Sequence, residues 1–249
     1  MLLKKKKDAF GDFILVDPEG LPAFARVSVL MSVHNGGELL SRSLSGILRQ
    51  TFRDLEFIVI DDASDDGSGD VMEQSQRQDS RIRLVRNPER IGLTKSLVRG
   101  VALARGEIIA RQDADDASVP RRLEKQMSYI PKYDFVCCRT RINGRRVYPK
   151  LPTILFYRFF LPFKNVFVHG TFVFKKELLE RVGGYDPEIP FAQDYDLMRR
   201  IVGVKGRLKY LPDVLYDSTK GRDCISIKKR RSQDACKDRI RKNLKKKKA

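Results

Sequence analysis

The sequence predicts an α/β fold, a single domain around a mostly parallel central sheet. Short β-branched runs alternate with stretches of helical periodicity across the first half of the chain. The strand runs are mostly apolar, as strands buried on both faces are. At 249 residues, with 41% hydrophobic and 9% aromatic content, the chain can bury one large core and is not disordered in composition.

The elements follow in order. Residues 1–26 read as an irregular arm broken by Pro18, Gly20 and Pro22. Val27–Val33 is a buried strand. Leu39, Leu40, Leu44, Ile47 and Leu48 recur at helical spacing over 38–50. Phe57–Ile60 is a second strand running into Asp61-Asp62, followed by a helix to residue 79. Ile82–Val85 is a third strand, Leu93–Ala104 a helix stopped at Gly106, and Glu107–Ala110 a fourth strand ending at Gln112-Asp113-Ala114-Asp115-Asp116. Strand–helix alternation implies βαβ units and parallel pairing. Arg122–Ile130 reads as a helix, Phe135–Cys138 as a strand and Asp194–Val202 as a helix. No repeat or linker interrupts 27–218, which reads as one domain, and 219–249 is a basic tail.

In parallel sheets ligands bind beyond the carboxyl ends of the strands. The acidic clusters at 61–66 and 113–116 fall at two such ends and His34-Asn35 at a third. One site is therefore expected from several strand ends.

Charge is uneven. Net charge is +18, and from Lys220 to Ala249 fourteen Lys or Arg face three Asp, a local balance of +11. Such a tail attracts nucleic acid, anionic lipid or an anionic substrate, or is simply solvated. No run reaches the roughly eighteen apolar residues of a spanning helix, and the lysine-rich start lacks the apolar core of a secretory signal. Cys137, Cys138, Cys224 and Cys236 have neither zinc spacing nor disulfide-scaffold density, so reduced thiols and a cytoplasmic setting are expected.

Asp113-x-Asp115 after a buried strand offers two hard oxygen ligands, the pattern by which Mg²⁺ or Mn²⁺ is held together with substrate phosphates. Alone it is a weak signal, because acidic loops are common. Asp62 to Glu73 matches the spacing of a calcium-binding EF-hand loop, but a β-branched run precedes it where that motif needs a helix, and the match is set aside. Asp194 stands at a helix start, where it either caps the helix or serves as a general base.

Together these segments resemble family 2 glycosyltransferases, from Val27 to Tyr216. The resemblance is carried by Val29-Leu-Met-Ser-Val-His-Asn35, Val59-Ile-Asp-Asp-Ala-Ser-Asp-Asp-Gly67, Asn87 with Gly92, and Ala104-Arg-Gly-Glu-Ile-Ile-Ala110. Further on come Asp113-Ala-Asp-Asp116, Arg122-Leu-Glu-Lys-Gln126, His169-Gly-Thr171, Val182-Gly-Gly-Tyr185 and Gln193-Asp-Tyr-Asp196. It implies the GT-A fold, Rossmann-like, with a nucleotide-sugar half over 27–116 and an acceptor half over 117–218. It implies that Asp61 and Asp62 with the backbone of Val33–Asn35 hold the nucleotide, and that Asp113 and Asp115 carry Mn²⁺ or Mg²⁺, Asp115 nearest. Asp113 is also counted among the donor-binding residues, Arg200 would steady the diphosphate, and Asp194 would be the base of an inverting displacement. Two departures stand out. Gln193 replaces the usual acid before the base, and Arg111-Gln112 replaces an apolar approach, which suggests a more exposed strand end. His169 is a candidate for the metal or the acceptor, set against the commoner packed, hydrogen-bonded histidine.

The resemblance implies a nucleotide-sugar donor, UDP-sugar favoured, and a glycan or lipid-linked acceptor. The aromatic stretch 151–168 reads as core or as a surface dipping into a bilayer. Cys236, Ile240 and Leu244 recur every four residues in a candidate amphipathic helix. An anionic membrane surface is thus a candidate partner, which would place the enzyme peripherally on the inner face of the cell membrane. Nucleic-acid binding has the tail's charge in its favour but no recognisable module. A sugar nucleotidyltransferase would need a glycine-rich phosphate loop where the chain offers only Asn35-Gly-Gly37.

Overall fold

The structure is a computed structural model that describes residues 4–7, 13–16, 26–163, 165–220, 232–238 and 240. Strands β1 (Lys4–Lys7) and β2 (Phe13–Val16) pair antiparallel, so the arm expected to be irregular contains a ribbon. Between Val27 and Leu103 the chain runs β3 (Val27–Val33), α1 (Leu39–Leu48), β4 (Leu55–Asp61), α2 (Ser68–Gln78), β5 (Ile82–Arg86) and α3 (Leu93–Leu103). β6 (Ile108–Arg111), β7 (Ala117–Ser118), α4 (Arg122–Met127), β8 (Phe135–Ile142) and β9 (Arg146–Tyr148) follow. The remainder comprises α5 (Leu151–Leu155), α6 (Tyr157–Phe160), a 3₁₀ turn (His169–Thr171), β10 (Val173–Lys175), α7 (Lys176–Arg181), α8 (Gln193–Gly203) and β11 (Leu208–Ser218).

The strand order is β5-β4-β3-β6-β10-β8-β11-β7, with β9 on β8. β5, β4, β3 and β6 run parallel. β10 lies antiparallel to β6 and β8, and β11 parallel to β8. Strand periodicity divides the core between the two faces. Val27, Val29, Met31 and Val33 pack with Leu40, Leu44 and Ile47 of α1 on one side. Leu30, Ile58 and Ile60 pack with Leu97 of α3 on the other. The fully buried Glu56 joins three segments, taking bonds from Arg83, Ser28 and the Arg105 N–H. A buried charge is tolerated only when paired in this way.

The mixed half of the sheet is pinned by Asp134, whose carboxylate binds both Arg207 before β11 and Lys175 at the end of β10. β11 had no clear sequence signature, because Pro212-Asp213 breaks its alternation. The register of its pairing with β8 shifts between Leu211 and Val214, the form of a bulge. Cys137 and Cys138 are buried and free; Cys224 lies outside the described residues. Among the described residues no helix is long and apolar enough to cross a membrane.

Candidate active site

The carboxyl ends of β3, β4 and β6 lie side by side at one edge of the sheet, because the three strands are adjacent and parallel. Asn35, with φ at 55°, crosses from the β3 end to the β4 loop. Its side chain donates to Asp65 and accepts from the Asp65 N–H, while its own N–H reaches Ser64. The carbonyl of buried Val33 accepts the Asp62 N–H at 2.7 Å. Asp61 is 5% exposed and takes the Ser64 N–H at 2.9 Å, with Arg86 3.7 Å away. It borders a cavity of about 490 Å³ lined also by Ser64, Gly67, Arg86, Asn87 and Pro88. Asp62 turns inward instead. Its two oxygens accept from Asn87 and from the backbone N–H groups of Ile91 and Gly92, so it shapes the 87–92 loop from beneath the cavity. Asp66 is likewise taken up by the Gly37 and Ser68 N–H groups. These carboxylates serve separate loop contacts and do not converge on one ion, which disposes of the EF-hand spacing.

At the end of β6, Asp113 and Asp115 stand in the turn before β7. The expectation that Arg111-Gln112 leaves this strand end exposed is corrected here, since both residues are completely buried. Arg111 bonds the Leu30 carbonyl and sends its other nitrogen to Asp113 Oδ1 at 2.9 Å. Gln112 donates to Ser43 and to the carbonyls of Asp113 and Asp116, and accepts from Ser118. These two polar side chains are the scaffold of the turn. Arg122, also fully buried, bonds the carbonyls of Arg111 and Gly170. Asp116 is buried beside Asp113 and Asp115; burial and then their charges push its carboxyl up to about 8.

Asp194 lies in the first turn of α8, which starts from Ala192 at φ 59°. Its carboxyl retains some solvent access but sits deep enough to lose much of its hydration. That loss pushes it up to about 6, with the Tyr195 N–H opposing and the charge of Asp113 adding to the rise. The two carboxylates, 81 positions apart in sequence, are therefore close enough to sense one another. Asn165 Nδ2 donates to Asp194 Oδ2 at 2.5 Å; nothing in the local sequence marked this asparagine. His169 Nε2 meets the Tyr185 hydroxyl at 2.8 Å, and burial holds the imidazole well below its ordinary value and so neutral. Arg200 is bound to Asp196 and the Val182 carbonyl, an arrangement that braces α8.

Glycosyl transferase family 2, as a family profile, matches residues 28–183. The chain belongs to this family. Family 2 relatives align over most of it. WbnJ of Escherichia coli, an O-antigen biosynthesis glycosyltransferase, is 33% identical over 77% of this chain and 75% of its own length. EpsE of Bacillus subtilis, assigned as a glycosyltransferase, is 32% identical over 83% of this chain and 76% of its own. Among solved structures, S. aureus TarS superposes with a TM-score of 0.67 at 19% identity, over 80% of this chain and 37% of TarS. The mannosyltransferase PcManGT of Pyrobaculum calidifontis, solved with GDP-Man and Mn²⁺, superposes at 0.66 with 24% identity, over 89% of this chain and 63% of its own. The family 2 fold, GT-A, is thus the fold of this chain. Its donor set suits a divalent metal: Asp113 keeps Oδ2 beyond its bond to Arg111, and Asp115 adds a second hard carboxylate two residues on. Hard oxygen donors of this kind hold Mg²⁺ or Mn²⁺ when substrate phosphates complete the shell.

Proposed function

We propose that this family 2 glycosyltransferase moves a sugar from a nucleotide-sugar donor to a hydroxyl of a glycan or lipid-linked acceptor, with inversion at the anomeric carbon. The single observation that carries this reading is Asp194, a carboxyl pushed up to about 6 by burial and within electrostatic reach of Asp113. In this reading the 27–116 half binds the donor. Asp61 bonds the base at the mouth of the cavity, the Val33–Asn35 backbone lies against it, and Asp62 holds the 87–92 loop in place. UDP is the favoured carrier, consistent with TarS having been solved with UDP and with UDP-GlcNAc. Asp113 and Asp115 hold Mn²⁺ or Mg²⁺, which would offset charge on the departing diphosphate. Arg200 would reach the diphosphate only by leaving Asp196. His169, neutral and tied to Tyr185, belongs to the wall of the acceptor side and not to the ion.

The 117–218 half receives the acceptor. Asp194, ionised above pH 6, takes the proton from the acceptor hydroxyl as its oxygen attacks from the face opposite the nucleotide. Asn165 aims the carboxylate by occupying Oδ2, leaving Oδ1 for that proton. The names of two relatives, one in O-antigen and one in amylovoran biosynthesis, support a role in polysaccharide synthesis. A lipid-anchored acceptor would bring the enzyme to the inner membrane face.

The test is release of nucleoside diphosphate from a panel of nucleotide sugars, with Mn²⁺ or with EDTA. Metal-dependent release from one donor, lost in Asp115→Ala, is the expected outcome. Calorimetry covers a strict requirement for acceptor: absence of metal-dependent binding of every nucleotide sugar sinks the reading.

A further inference from the structure

The stretch 151–168 divides its side chains between two environments. One face is anchored. Ile154, Tyr157 and Phe160 pack on the core, and Leu161, Val166 and Phe167 are buried in it. The Tyr157 ring meets Phe167 edge-on at 5.7 Å, and the Tyr195 hydroxyl bonds the Pro162 carbonyl. The other face is turned to solvent: Leu155 is 76% exposed, Phe159 67%, Phe163 65%, Phe156 62% and Leu151 50%. No other part of the described structure gathers large apolar side chains on the surface in this way; Val204 is the one further residue of the kind. Scattered exposed apolar residues need no explanation, whereas a contiguous aromatic patch marks an interaction surface.

Charge selects the occupant. From Phe135 to Lys176 the chain carries nine Lys or Arg and no Asp or Glu. Among these, Lys150 and Arg158 flank the patch itself, and the Arg158 guanidinium lies over the Tyr157 ring. Exposed aromatics whose sequence neighbours carry cations and no acids match an anionic lipid leaflet, in which rings enter the acyl boundary and cations meet headgroup phosphates. Position supplies the consequence. Asn165, which holds Asp194, follows Phe163 by two residues, so the patch adjoins in sequence the residue that positions Asp194.

We propose that the 151–163 aromatic face docks on an anionic bilayer and presents Asp194 to an acceptor anchored in that bilayer. The docking half stands on the surface alone, whereas the acceptor half rests on the glycosyltransferase reading.

The full chain is mixed with phosphatidylcholine vesicles, with or without phosphatidylglycerol, at physiological salt, and floated. Wild type binds the anionic vesicles at least tenfold more tightly than the neutral ones. Phe156→Ser/Phe159→Ser/Phe163→Ser loses at least tenfold of that affinity, while its thermal midpoint and its calorimetric binding of nucleotide sugar stay at wild-type values. The chain has no tryptophan, so Phe159→Trp gives a single reporter whose emission shifts to the blue on vesicles and is quenched by brominated acyl chains. Undiminished binding of the triple variant assigns attachment to the basic tail and overturns the proposal. Equal binding to both vesicle types, an unshifted reporter, or a wild-type dimer that the triple variant dissolves without vesicles overturns it equally. Vesicle binding by a protein that binds no nucleotide sugar removes the acceptor half and leaves the docking half standing.

Discussion

At Asp194 catalysis and stability pull in opposite directions. Its raised value, about 6 against an ordinary 3.8, means that the folded state holds this proton more tightly than the unfolded chain does. Folding stability therefore falls as pH rises between those values and stays lowered above them. Asp194→Asn removes the buried charge while its amide oxygen still accepts from Asn165. We expect this variant to gain on the order of 1–2 kcal/mol near pH 7.5, once partial exposure is discounted, and nothing below pH 4; urea unfolding at both pH values checks it. For a base of this kind, wild-type kcat/KM should climb about tenfold per pH unit below 6 and level off by about pH 7. A flat profile through pH 6 would remove Asp194 from the proton transfer. The sequence marked Asp194 through the Gln193-Asp-Tyr-Asp196 run, but its partner Asn165 was invisible. A hydrogen bond between loop and helix 29 residues apart leaves no periodic trace.

Among the elements, the 3₁₀ turn at His169–Thr171 decides how closely β11 approaches the Asp113 turn. A Cβ placed on Gly170 would fall 1.9 Å from the Tyr216 hydroxyl and 3.0 Å from Asp113 Oδ2. Tyr216 is fully buried and its hydroxyl bonds the Asp113 N–H, so it cannot swing aside. Gly170→Ala should cost roughly 2–3 kcal/mol, the usual scale of overpacking a closed core, and should weaken Mn²⁺ binding measured by calorimetry in the same protein. Unchanged stability would show that the turn yields more easily than its packing suggests. The parallel strands β3 to β6 were legible because predominantly apolar, β-branched runs describe strands covered on both faces. Arg111 and Gln112 misled for the same reason: polarity signals exposure unless a partner is supplied, and their partners Leu30, Ser43 and Ser118 come from other segments.

Over the whole molecule, the chain beyond the family match closes the core from outside. Residues 232–238 are helical, with Cys236 packed on the core and Ile240 buried in it at 5% exposure; Leu244, expected on the same face, lies outside the described residues. The described part of the tail's apolar stripe, Cys236 and Ile240, is thus packed on the domain. Ile240→Ala should lower the unfolding free energy by about 2 kcal/mol, seen as an earlier urea midpoint with an unchanged slope. No loss of stability would detach the 232–238 helix from the fold.

The sequence by itself determined the α/β class, the parallel half of the sheet, the acidic strand ends and the family. All of these are written in local periodicity or in short motifs that survive without knowledge of distant neighbours. Only the tertiary structure decided that Asp62 props a loop, that Arg111 grips Asp113, and that Asp194 stands within electrostatic reach of that carboxylate. It also decided that one face of 151–163 is core and the other is surface. Each of these depends on which segments the curled sheet brings together. Burial, and with it the cost of a charge and the strength of a bond, is a property of that arrangement and not of any stretch of chain.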